Sequence, residues 1–170
     1  MLIGIMSDSH DRIEAVRAAI EKFNLERVDL VLHAGDIVSP FTVKEFGKLN
    51  CKIICVKGNN DGDLVALRMF LEKVGGELKG DFFISEVGGK KIVLTHGVWP
   101  EVVEALIISG KYDVVISGHS HEASIRKQDN VLVINPGSCS YPIIDGIVTI
   151  ENGTVAILDL DKMSAKILKL

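Results

Sequence analysis

Six apolar, β-branched runs in this chain break off in the same way. "IGIMSDSH", "LVLHAGD", "IICVKGNND", "KIVLTHG", "DVVISGHSH" and "VLVINPGS" each pass from core-type residues to small ones and then to Asp, Asn, His or Ser. Helical patterns lie between several of them. "DRIEAVRAAIEKF" spaces Ile13, Val16, Ala19, Ile20 and Phe23 along one helix face, and "SPFTVKEFGKL" offers Ser39 before Pro40 as an N-cap and first-turn pair. "GDLVALRMFLEKVG" reads as a helix closed by Gly75, and "PEVVEALIISG" as a shorter one. Alternation of this kind calls for parallel strands joined by crossover helices. Such strands bring their C-terminal ends to one edge, where open α/β sheets bind ligands.

The remaining segments read as antiparallel. "GDFFISEVGGKKIVLTHG" is a hairpin about Gly88-Gly89, and the stretch from Glu122 to Leu170 is nearly all strand and turn, with Asn152-Gly153 as a hairpin signal. The expectation is two packed sheets with helices outside, the first half mainly parallel and the second more antiparallel. At 170 residues and 47% hydrophobic the chain can bury a sizeable core as one domain, 1–170. Net charge is −4 with no basic run, which argues against nucleic acid as a partner. No apolar run nears the ~20 residues that span a bilayer, and no leader pattern is visible, so a cytoplasmic protein is expected. Cys51 and Cys55 lie in one strand pattern, about 13 Å apart at ~3.3 Å per residue, beyond the roughly 7 Å limit for a bridge. They read as core residues of a reducing compartment.

The groups gathered at the strand tips are Asp8, His10, Asp36, Asn59, His96, His119 and His121, and they include four of the five histidines. Crowding imidazoles and carboxylates without partners is unfavourable, and divalent metals relieve it. Seven ligands exceed one open first-row site but suit two ions sharing a carboxylate. Each residue also has a plain structural reading. Asp8, Ser9 or Asp11 could cap the first helix, Asp36 and Asn60-Asp61-Gly62 could form turns, and His96 could be a satisfied core histidine. His33, inside its strand pattern, reads as structural.

"DSH", "GD", "GNND", "THG" and "GHSH", in that order over nearly the whole chain, resemble the calcineurin-like metallophosphoesterases. The short length and the "NPGS" after "GHSH" are similar to the small single-domain archaeal and bacterial phosphodiesterases of that family. The resemblance implies a four-layer α/β/β/α sandwich of two mixed β-sheets flanked by helices, with the metal site at the strand C-terminal ends. It assigns Asp8, His10 and His121 to one metal and Asn59, His96 and His119 to the other, with Asp36 bridging. The implied activity is hydrolysis of phosphodiester bonds by a metal-bridging hydroxide that Asp36 positions. Manganese is the first expectation for the two divalent ions, with nickel, iron, zinc and cobalt as alternatives. The implied partner is a small phosphodiester, and related small enzymes often form homodimers or higher homo-oligomers. Ser138, at the "NPGS" loop, is expected to border substrate, with Cys139 partly exposed beside it.

One position departs from the family pattern. Many relatives carry histidine after the metal-binding asparagine, where this chain has Asn60. An amide can contact phosphate but cannot act as a general acid near neutral pH. Diester cleavage is therefore favoured over monoester cleavage. A protein-interaction scaffold like the retromer subunit of this fold is the rival from another class, and a phosphomonoesterase, a nuclease or a di-metal peptidase are further alternatives.

Overall fold

The computed structural model describes residues 1–144, 147–149 and 153–170, so the hairpin expected at Asn152-Gly153 lies outside the described residues. In chain order the elements are β1 (Leu2–Met6), α1 (Ile13–Glu26), β2 (Leu30–His33), α2 (Pro40–Phe46), β3 (Lys52–Cys55), α3 (Leu64–Lys73) and β4 (Glu77–Leu78). They continue as β5 (Phe82–Val87), β6 (Lys90–Thr95), α4 (Pro100–Ile108), β7 (Val114–Ile116), β8 (Ala123–Gln128) and β9 (Val131–Pro136). The short pair β10 (Ile143–Ile144) and β11 (Ile147–Val148) follows, then β12 (Thr154–Asp159) and β13 (Ser164–Lys169).

Two mixed sheets stack between helices. One has the order β13-β12-β1-β2-β3-β4, the other β5-β6-β7-β9-β8. Because successive strand side chains point to opposite faces, each apolar run feeds two cores at once. Ile3, Ile5, Leu32 and Ile54 meet Leu94, Ile116 and Ile134 between the sheets. Val31, Ile53 and Cys55 face outward onto α1–α3, while Val93, Val115 and Val133 pack under Ile107 of α4. Strands buried on both faces read as unbroken apolar runs, as these do. Gly4 has a specific reason: a Cβ there would lie 2.7 Å from Phe23 Cδ1, so the α1 ring rests on bare backbone.

The hairpin at Gly88-Gly89 forms, with Val87 opposite Lys90 and both glycines at positive φ (56° and 75°). The division into a parallel first half and an antiparallel second half needs correction. Strands β6, β7 and β9 are parallel, and β12 leaves the second half altogether to pair antiparallel with β1. Ser39 does occupy the α2 N-cap position, but its side chain makes no capping bond. Asp11 Oδ1 instead ties the start of α2 to the turn after β1, accepting from Ser39 N at 3.2 Å and Thr42 Oγ1 at 2.7 Å.

Candidate metal centre

The parallel strands of both sheets end at one edge. The turn after β1 carries Asp8 and His10, that after β2 Asp36, and that after β3 Asn59 and Asn60; β6 leads to His96, and β7 to His119 and His121. Backbone bonds zip these turns together: Asp8 N donates to Gly35 O (3.0 Å), His10 N to Asp36 O (3.1 Å) and Gly118 N to His96 O (2.9 Å). Five of the seven predicted ligands adopt left-handed backbone: Asp8 (φ 54°), His10 (42°), Asp36 (59°), His119 (70°) and His121 (61°). Each such non-glycine residue costs on the order of 1 kcal/mol or more, and strain of this kind collects at functional sites. Asp8 caps nothing, since the N-cap of α1 is Arg12.

The turns aim their side-chain atoms at one another in two sets. In the first, His121 Nε2 lies 3.2 Å from Asp8 Oδ1 and 3.4 Å from His10 Nε2. In the second, His96 Nε2 lies 3.0 Å from Asn59 Oδ1 and 3.3 Å from His119 Nδ1. Asp36 Oδ2 stands between the sets, 3.7 Å from His10 Nε2 and 3.3 Å from His96 Nε2. Asp8 also falls within reach of the second set, since Asp8, Asp36 and His96 offer atoms within 4.8 Å of one another. Asp8, Asp36 and His96 form the buried floor, while Asn59 and His119 are exposed at the mouth.

The chemistry of these donors suits cations. His96 Nδ1 is 2.7 Å from Ala34 O and His121 Nδ1 is 2.7 Å from Tyr141 O. Each ring therefore donates its Nδ1 proton to a carbonyl and presents the Nε2 lone pair inward, as metal-binding histidines do. Asp8 Oδ1 is buried yet receives no hydrogen bond; its Oδ2 accepts from His119 N at 3.1 Å. Burial pushes the Asp8 carboxyl up, but His10 and His121 outweigh it and hold the group well below the usual carboxylate range. Asp36 balances the same way: burial opposes ionisation, His96 and the Asn60 amide favour it, and its pKa falls to about 2. Burial lowers and Asp36 raises the pKa of His96, the net shift being upward, while Asp8 raises that of His121. Protons on these imidazoles are one way to balance two carboxylates, and divalent cations are the other.

The calcineurin-like phosphoesterase superfamily domain matches residues 1–163. The chain belongs to that family. A phosphodiesterase of Methanocaldococcus jannaschii is 48% identical over 163 residues, 95% of each chain. A solved archaeal phosphodiesterase superposes with a TM-score of 0.90 at 44% identity, covering 100% of both chains. Vps29 of Entamoeba histolytica, solved with zinc, shares the fold at a TM-score of 0.67 and 17% identity, over 100% of this chain and 98% of that one.

Several residues that support this candidate centre carry no obvious sequence signal. Asp61, read as a turn former, is buried and takes three backbone donors: Gly58 N at 2.7 Å and Asp36 N at 3.1 Å on Oδ2, and Val38 N at 2.7 Å on Oδ1. Glycine is required where two of these turns touch, because a Cβ on Gly58 would fall on Asp36 Oδ1 and one on Gly118 on Ser7 Oγ. Tyr141 supplies the carbonyl that orients His121, and its ring lies 6.1 Å from that of His10. His33 is fully buried, as its strand position implies. Gly35 N donates to its Nδ1 (3.1 Å), so Nε2 carries the proton toward Ser9 Oγ (3.1 Å).

Two expectations at the "NPGS" loop change. Ser138 is fully buried rather than lining a pocket; its hydroxyl donates to Asp8 O at 3.0 Å and accepts from Tyr141 N at 2.8 Å, bracing the first turn. Cys139 is also fully buried, and burial pushes its thiol up to about 12. Asn60 is exposed at the site, with its backbone N–H on Asp36 Oδ1 (2.8 Å) and its Nδ2 on Asp36 Oδ2 (2.7 Å).

Proposed function

We propose that this chain is a phosphodiesterase working through two divalent cations, manganese first among them. Asp8, His10 and His121 would hold one cation and Asn59, His96 and His119 the other, with Asp36 shared. The observation that carries the reading is the position of Asp36 Oδ2, between His10 Nε2 and His96 Nε2 at 3.7 and 3.3 Å. Such a cation pair supplies an acidified water at neutral pH and neutralises charge on the phosphoryl oxygens.

The chain's own residues do the rest. Asp36 stays ionised throughout the physiological range and fixes the spacing of the two sets. The Ala34 and Tyr141 carbonyls hold His96 and His121 in the tautomer that accepts a cation. Asn60, now donating to Asp36, has an amide able to turn to a phosphoryl oxygen but no proton to give a leaving group. Residues 1–170 act as one metallophosphoesterase domain on this reading. Free cysteines at 51, 55 and 139 suit a reducing cytoplasm.

A small diester is favoured over a monoester because the 48%-identical relative is a phosphodiesterase. The scaffold alternative rests on a 17%-identical fold likeness, while all seven ligand positions are present here. Hydrolysis of bis(p-nitrophenyl) phosphate with and without manganese tests the choice. Turnover that chelator abolishes and manganese restores is expected; metal binding without turnover would favour the scaffold.

A further inference from the structure

The chain's single tryptophan stands where neither packing nor capping accounts for it. Trp99 occupies the N-cap position of α4, where Ser, Thr, Asp or Asn is preferred. It makes no side-chain capping bond and is 69% exposed. Phe82, at the start of β5, and Val102, one turn along α4, are exposed beside it at 43% and 41%. These three side chains border a cavity of about 350 Å³ whose wall also includes His96, the innermost imidazole of the candidate metal centre. That volume is the size of a small-ligand pocket, and apolar walls with few polar groups are its usual lining.

We propose that this cavity is a subsite for one ester arm of the substrate, and that the arm carries a planar aromatic ring, a nucleobase or an aryl group. The proposal rests on the phosphodiesterase reading and adds the substrate class to it. Contiguity through His96 lets a phosphorus atom at the metal centre project an ester substituent straight into the cavity. A second phosphate is not what the cavity is built for. Its one lysine, Lys57, is already paired with Asp81 at 3.1 Å, leaving a neutral rim. Two exposed aromatic rings offer flat π faces, and stacking a base on an aromatic side chain contributes roughly 5- to 150-fold in affinity. An alkyl arm would gain only part of this.

A lone tryptophan makes the site directly readable. Diphenyl phosphate, titrated into manganese-loaded protein, should change Trp99 emission saturably, and diethyl phosphate at the same concentrations should not. Phe82→Ala should weaken the diphenyl phosphate titration. Trp99→Ala and Phe82→Ala should each raise KM for bis(p-nitrophenyl) phosphate by about tenfold with a smaller change in kcat, and Phe41→Ala, on α2, should change neither. Equal responses to both diesters, or an unchanged KM in both variants, would overturn the subsite while leaving the phosphodiesterase reading intact. So would a KM change in Trp99→Ala that follows loss of an oligomer on gel filtration, which would make this surface an interface between copies. Absence of hydrolysis of any diester would instead sink the underlying reading, and the subsite with it.

Discussion

Replacing Asp61 by asparagine keeps the shape of a side chain that ties the turn after β3 to the turn after β2 and removes its charge. Three backbone donors converge on the carboxylate, from Asp36, Val38 and Gly58. Val38 is the most telling of them, because it is β-branched yet sits at φ 85°, a conformation that persists only when its surroundings enforce it. An asparagine can keep its oxygen on Asp36 N and Gly58 N, but its NH2 must then face Val38 N, donor against donor. Hydrogen bonds to a charged group contribute ~1.5–3 kcal/mol each and neutral ones ~0.5–1.5, and a buried donor left unmatched costs ~1–3 kcal/mol. Because the three bonds share one group and do not simply add, the net loss should be about 3 kcal/mol. For a chain of this size each kcal/mol moves Tm by roughly 2–4 °C, so calorimetry in chelator should show a fall of about 6–12 °C. Since Asp61 fixes the backbone of Asp36, manganese affinity measured by titration calorimetry should also drop, by roughly 10- to 100-fold. A Tm within about 1 °C of wild type, together with unaltered metal affinity, would refute the idea that Asp61 organises the site.

Two further predictions concern proton chemistry. His33 has its pKa lowered by burial, against the pull of Asp61, to about 4 from an ordinary 6.5, so the unfolded chain binds the extra proton and stability should fall as pH drops from about 6.5 toward 4. Chemical denaturation of chelated protein across that window should show the slope, and His33→Gln should flatten it; identical slopes would rule out His33 as the cause. Because Asn60 cannot protonate a leaving group, rates across phosphodiesters of graded leaving-group pKa should fall steeply toward alkoxides, and Asn60→His should make that dependence shallower. A flat wild-type dependence with chemistry rate-limiting would mean another side chain donates the proton.

The central part of both sheets was legible because its physics is local. A strand buried on both faces must be apolar throughout, and a turn at its end must use small or polar residues, so β1, β2, β3, β6, β7 and β9 announce themselves. The same punctuation exposes Asp8, Asp36, Asn59 and the histidines. The return of β12 to β1 has no such signal, since pairing between residues more than 150 positions apart depends on packing rather than propensity. The buried role of Asp61 and the burial of Ser138 and Cys139 were missed for a related reason. Asp61 follows Asn60, and Ser138 and Cys139 follow Gly137, residues that mark a turn, but here neighbouring turns cover one another, and the Asp61 and Ser138 side chains point inward to satisfy backbone groups. Family resemblance named the candidate ligands without showing the contacts that Asp61, Ala34 and Tyr141 make to them.

Anomalous diffraction from crystals grown with manganese, collected for the wild type and for Asp36→Ala, tests the shared-carboxylate centre most directly. Two peaks on either side of the Asp36 carboxylate are expected in the wild type, with at least one lost in the variant. A single peak in the wild type, or two undiminished peaks in Asp36→Ala, would contradict a pair of cations joined through that side chain.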